Sequence, residues 1–410
     1  MTVTEKPILK DSDSQYSSEV KLLLLCVRPQ IDEESAEEIL KLVKAEIDWN
    51  YLIDTATQHK VIPLVYCKLN GICPSYIPED ILQEMRQIFH NNSKKNLVLT
   101  EKLIQIINLL QNNNIPCLTF KGVTLGILAY QKIFLRTFTD LDILIPKKSV
   151  SRTTKLLIEH GYEPQFNFSE SQQKTYLEIR NEQTFANSKR NITLDIHWSL
   201  LAEHLSFCLK TEDVWQFQQE VNINGNLIPS LSPEIMVLYL CTNGAKDSWI
   251  YLQSICDLAR LIDNHPNLNW EQVMAQAGRL GTRKMLFLGL SLCQILFNLP
   301  LPPKIRQQIL TEPQIEILVN QVTQNLFDDA RPQEFLLIRK RIYLKTMDSW
   351  RDRILFYFDI IRPTPLEWKI VELPKWLSPL YYPIRLIRLA IKHSQIKIAS
   401  FTGSKARSPI

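Results

Sequence analysis

Glycine is scarce in this chain, 10 of 410 residues, and with only 22 prolines that excludes a low-complexity or all-turn protein. Paired-cysteine motifs are missing as well. Cys26, Cys67, Cys73, Cys117, Cys208, Cys241, Cys256 and Cys293 form no CxxC, and most sit in apolar runs such as LLLLCV and LSLCQIL. Buried free thiols look like that, and a disulfide frame or zinc site does not. A reducing cytoplasm is therefore the expected compartment. The polar first twenty residues and the short KLLLLCV run carry no evident export signal. The most apolar window, Met285–Leu301, is interrupted by Gln294, Asn298 and Pro300. It falls short of the roughly 20 apolar residues of a membrane span, so a buried helix is expected there. Nor does one sign of charge dominate. A net charge of +4 permits a nucleic-acid or membrane-surface partner without demanding one.

What is present is ample apolar material, 45% of the chain, enough for two or three cores. Residues 1–96 read as a helical region, with apolar positions recurring at three- and four-residue spacing. Asp32 is placed to cap a helix that runs to about Lys44. A further helix is expected from Leu97 to Asn112, stopped by the NNN run. The period then changes. IPCLTF and LRTFTDLDILI alternate as strands do, with the turn and short helix KGVTLGILAY between them. Ser149–His160 returns to helix and ends at Gly161. EQTFANS and NITLDIHW read as two strands joined by the polar SKRN connection. The segment from about 115 to 200 is thus the expected α/β part, within a core of 97–230. Helical periodicity resumes over 231–338, and a basic, aromatic extension covers 339–410.

The chemistry sits in the strands. In TDLDILI, Asp140 and Asp142 are two apart and leave one face, while Leu141, Ile143 and Ile145 leave the other. Two carboxylates about 6–7 Å apart on one face repel each other unless a cation lies between them, and hard oxygen donors suit Mg²⁺. Asp195, in ITLDIHW, is a third carboxylate that converges with them if the strands are neighbours. Three acids would then hold two ions, or Asp195 would act as general base. Upstream, Gly122 permits close backbone approach at a helix start and Lys121 adds a point charge, a combination suited to phosphate. Arg136 has two open roles, triphosphate contact or a bridge to one of the aspartates. Asp195 could equally pair with Lys189 or Arg190, and Lys121 could simply cap the preceding strand. Tyr130 and Asp257 are expected in the core, Asp257 as a buried hydrogen-bonding group.

In order, the turn with Gly122, the helix, h-D-h-D-h and a lone h-D-h strand resemble the DNA polymerase beta-like nucleotidyltransferase superfamily. More narrowly, KGVTLGILAY, Arg136, TDLDILI, LDIHW, a Pro-Glu-initiated helix and CDLARLI resemble the family of uncharacterised bacterial nucleotidyltransferases. The resemblance implies an α+β fold: a small mixed nucleotidyltransferase-type sheet, flanking helices and a C-terminal helical domain. It implies a metal and catalytic set of Asp140, Asp142 and Asp195, and a nucleotide-binding set of Lys121, Gly122, Arg136 and His197. Two Mg²⁺ ions and a nucleoside triphosphate donor follow. The expected reaction moves a nucleoside monophosphate to an unknown acceptor (small molecule, peptide or protein) and releases pyrophosphate. Rivals are phosphoryl or pyrophosphoryl transfer to a peptide or metabolite at the same site, and a nucleotide-binding scaffold without turnover. Asn243 and Asp247 depart from the family, standing where relatives carry histidine. In the tail, Arg385, Arg388 and Lys392 form one helical stripe within 377–398. Such a helix can lie on an anionic membrane, but the solvent-facing side of the last bundle helix is the favoured reading.

Overall fold

The computed structural model describes residues 16–188, 192–201, 211–328, 332–371, 373 and 375–402. Seven strands form one sheet: β1 (Leu118–Thr119), β2 (Asp140–Leu144), β3 (Glu163–Pro164), β4 (Glu182–Asn187), β5 (Ile192–His197), β6 (Gln218–Ile223) and β7 (Asn226–Leu231). Their order is β3-β4-β5-β2-β1-β7-β6. The β2–β5 and β1–β7 pairs are parallel and the others antiparallel. A mixed sheet with helices before and after it is the α+β class expected. The sheet is wider than the segment 115–200, however, because the β6–β7 hairpin joins it beside β1. Asn224 and Gly225 make its two-residue turn with φ +53° and +84°. Asn-Gly tolerates that conformation, which matches strand twist, so the dipeptide was a readable signal. Lys189, Arg190 and Asn191 of the SKRN connection lie outside the described residues, as does Cys208.

Alternation along β2 and β5 decides the layers. Leu141, Ile143, Ile145, Leu194 and Ile196 enter one core with Leu103, Ile107 and Leu110. Each fully buried aliphatic side chain contributes about 1.5–3 kcal/mol. On the opposite face, Phe120, Leu144 and Leu231 join a second, larger core. N-terminal residues such as Leu22, Leu52 and Val65 share it with Ile235, Leu258 and Leu288 of the later helices. The helices before and after the sheet therefore pack as one body. Nor does a helix end at residue 96: Glu79–Asn112 is continuous, since SKKNLVLT holds neither Gly nor Pro to break it. Met285 to Phe297 belongs to a buried helix, as expected, and no helix among the described residues is long and apolar enough to cross a membrane. The described cysteines are free, and burial pushes the Cys117 thiol up to about 12.

The loop entering β2 is clamped from two sides. Asn96 donates to the carbonyls of Ile133 at 2.7 Å and Arg136 at 2.8 Å. Gln253 accepts from the Thr137 N–H at 3.1 Å and donates to its carbonyl at 3.0 Å. The Arg136 guanidinium grips Asp257 with two prongs, Nε to Oδ1 and Nη2 to Oδ2, each 3.0 Å. The Tyr130 hydroxyl donates to the same carboxylate at 2.7 Å. Asp257 thus fills the buried hydrogen-bonding role that its apolar neighbours implied. Removing one member of a buried pair strands the other, at a cost of about 3–5 kcal/mol. Asp257→Ala should lose that much stability in urea unfolding. A loss in the range of about 0–1 kcal/mol, as for exposed pairs, would show that the pair does not hold the loop.

Candidate active site

Register brings the acids together. Because β2 and β5 run parallel, Asp142 stands opposite Asp195, Leu144 opposite His197 and Asp140 opposite Thr193. Antiparallel β4 adds Thr184 opposite Asp195 and Glu182 opposite His197. With side chains alternating at period two, one face of three strands carries Asp140, Asp142, Asp195, His197, Thr184 and Glu182.

Asp142 is the hub of this face and only 6% exposed. Its Oδ1 accepts from Lys121 Nζ and from His197 Nε2, both at 2.9 Å. Burial alone would raise this carboxyl, but the Lys121 ammonium and His197 overrule it and hold it well below the usual carboxylate range. The same balance acts on Lys121. Burial disfavours its charge, yet Tyr239 and Asp142 keep the ammonium well above its ordinary value. Lys121 Nζ also lies 6.0 Å from the centroid of the Tyr239 ring. On the far side of His197, Glu182 Oε2 lies 3.1 Å from Nδ1 but out of line for a hydrogen bond, so Nδ1 is buried without a partner. Phe120 meets the imidazole edge-on with ring centroids 5.1 Å apart. His197 is therefore held by Asp142 on one side and by the Phe120 ring on another.

Asp195 has the opposite balance. Its carboxyl is raised, first by burial; the Thr184 hydrogen bond works against this and the nearby Asp142 charge adds to it. Its Oδ1 is buried with no hydrogen-bond partner. Such an oxygen costs free energy unless something positive or a donor reaches it.

Lys121 is also the residue before the helix Gly122–Tyr130. Gly122 has φ +51°, and a Cβ there would lie an ordinary 3.5 Å from the Asp140 carbonyl. Backbone conformation, not lack of space, calls for glycine. The turn opens on a pocket of about 160 Å³ lined by Lys60, Lys121, Gly122, Arg136, Asp140 and Asp142. Three cations line it, and a helix start offers unpaired N–H groups, which is a setting for phosphate.

The structure thus gathers Asp140, Asp142, Asp195, Lys121, Gly122 and His197. Arg136 reaches the pocket wall, but its guanidinium is taken up by Asp257, so its bridge runs to a residue outside the strand pair. Neither Asn243 nor Asp247 lines the pocket; Asp247 sits 3.6 Å from Arg339. Tyr239, Lys60, Glu182 and Thr184 were not anticipated. The last two follow once β4 is paired with β5, whereas nothing local marks Tyr239 or Lys60.

Among the described residues, no three His, Cys, Asp or Glu side chains are grouped so as to hold a metal ion as they stand. Lys121 supplies the positive charge at Asp142. The donor set nevertheless fits a hard divalent cation. Asp142 and Asp195 are adjacent in register, Asp140 shares their face, and one buried Asp195 oxygen lacks a partner.

The family described as "Uncharacterised nucleotidyltransferase" matches residues 45–298, a span that includes the Lys121 turn, both aspartate strands and Asp257. Among solved structures, the chain is 11% identical to the antibiotic-resistance factor ANT(2'')-Ia, with TM-score 0.32 over 46% of this chain and 92% of that one. It is 13% identical to an antigenic nucleotidyltransferase-like protein from Paracoccidioides brasiliensis, with TM-score 0.31 over 46% and 88%. At such scores neither likeness bears on the reading of the site. No curated protein matches the chain.

Asp195 yields a pH prediction. Its folded pKa lies above the unfolded value, so its ionisation costs stability at neutral pH. The cost vanishes as pH falls below the unfolded carboxyl value of about 4. Asp195→Asn should therefore melt higher than wild type at pH 7, with the gain fading toward pH 4. A variant that melts lower at pH 7 would refute the sign. Asp142 has the reverse sign: its depressed carboxyl stabilises the fold above about pH 4, and that contribution is lost in acid.

Proposed function

Since the chain belongs to the uncharacterised nucleotidyltransferase family, we propose that it transfers a nucleoside monophosphate from a nucleoside triphosphate to an acceptor, releasing pyrophosphate. The observation that carries this reading is the in-register pair of Asp142 and Asp195 beside the Lys121–Gly122 helix start. The pocket there, about 160 Å³, is small beside the roughly 300–1,000 Å³ of whole-ligand sites. It suits the phosphates and leaves the nucleoside toward the opening.

The residues divide the work. Lys121, fixed by Asp142, neutralises phosphate charge, and the first N–H groups of Gly122–Tyr130 orient the phosphate oxygens. An acceptor oxygen attacks the α-phosphorus as the bond to the bridging oxygen of the β-phosphate breaks, and pyrophosphate departs. Asp195, whose raised carboxyl is the better base of the two buried acids, takes the acceptor proton. His197 holds Asp142 in place and stays out of the chemistry. A Mg²⁺ ion bound by Asp140, Asp142 and Asp195 would add charge neutralisation at the phosphates and acidify the attacking hydroxyl. Most of the rate then comes from positioning and electrostatics.

Incubation of the protein with Mg²⁺, a cell extract and ATP labelled at the α or the γ position tests this. Label from the α position should enter a stable product, and Asp142→Asn should reduce it about 100- to 1,000-fold, the range for losing one preorganised electrostatic group. Label retained only from the γ position would replace the reading with phosphoryl transfer. Binding of nucleotide without any product would leave a scaffold.

A further inference from the structure

The helix Tyr381–Thr402 is turned inside out. Arg385 and Arg388 do not face solvent. Both pair with Oε1 of Glu367, a carboxylate with no exposure at all. The side chain of Lys392, third in the basic stripe, lies outside the described residues. The expected solvent-facing basic side is therefore corrected: the exposed side is apolar. Tyr382 is 44% exposed, Leu386 50%, Ile387 61% and Ile391 51%. At 100° per residue these positions fall on one half of the helix.

Helix Trp350–Ile361 lies against it and repeats the pattern. Trp350, Ile354, Tyr357 and Phe358 are exposed at i, i+4, i+7 and i+8, Trp350 to 75%. Arg351 and Arg353 are exposed on the two flanks of that face. Single exposed apolar residues need no explanation, but two helices in contact that each leave an apolar face exposed mark an interaction surface.

Charge selects the occupant. Residues 339–410 carry 15 Lys and Arg against 5 Asp and Glu, an excess of +10 in a chain of net +4. Lys340, Arg341, Lys345, Arg351 and Arg353 are that segment's exposed cations among the described residues. A second copy would bring the same basic border and repel, and a nucleic acid would leave the leucines and isoleucines wet. A bilayer with anionic headgroups satisfies both demands: Trp and Tyr suit its interface, and Arg stems reach back to the phosphates. We infer that the exposed faces of Trp350–Ile361 and Tyr381–Thr402 dock the protein on an anionic membrane surface. The helices lie on that surface, since neither is apolar enough to cross.

Co-sedimentation of the full chain with phosphatidylcholine vesicles, with or without phosphatidylglycerol, tests the inference. The protein should pellet with the anionic vesicles, and added salt should release it. Leu386→Glu/Ile387→Glu and, separately, Tyr357→Ser/Phe358→Ser should each weaken pelleting about tenfold or more, since each removes two insertable side chains. Both variants should keep the wild-type melting temperature, the positions being exposed. Wild type remaining in the supernatant with every vesicle would overturn the proposal, as would pelleting unchanged in both variants. A wild-type dimer by light scattering that either variant splits, without vesicle binding, would assign the face to a second copy instead.

Discussion

The site depends on a single buried anion. A carboxylate enclosed as Asp142 is costs several kcal/mol to desolvate unless opposite charge and hydrogen bonds surround it. Lys121 and His197 provide both, from the turn after β1 and from β5. Tyr239, on the helix Pro233–Lys246, lies beside Lys121, and Glu182, on β4, lies beside His197. One charge therefore ties β2, the turn after β1 and β5 into a fixed geometry. The Lys121 ammonium is oriented by Asp142.

A second buried carboxylate, Asp257, does the same for the approach to β2. Together with Asn96 and Gln253 it fixes residues 133–137, so that Asp140 and Asp142 enter the sheet in one register. The helices on both sides of the sheet in sequence supply these clamps. That explains why the flanking helices pack as one body: the loop needs support from Glu79–Asn112 and from Leu252–Asp263 at once.

Asp142 and Asp195 stand side by side and are treated oppositely. One is satisfied and stabilising; the other is desolvated, near a like charge, and has an oxygen without a partner. Such a difference between neighbouring acids is the usual way one site obtains both an inert anion and a base. The outer helices show a similar exchange of roles, with Arg385 and Arg388 drawn inward to Glu367 and the apolar side left outward.

Much of this was legible in the chain itself. Period-two alternation in TDLDILI and ITLDIHW put three acids on polar faces with aliphatics behind them, because a strand has only two faces. Gly122 after Lys121 marked a turn open to close backbone approach, and its positive φ appeared only in the structure. Apolar neighbours gave Asp257 its buried role. The Asn224–Gly225 hairpin was legible too and extends the sheet. Other features exist only in three dimensions. That Asp142 meets Asp195 depends on parallel register, which no local pattern specifies. Arg136 binding Asp257 and the inward turn of Arg385 and Arg388 join residues from 18 to 121 positions apart. A buried charge takes whatever partner packing brings within about 3 Å, and sequence spacing does not contain that distance.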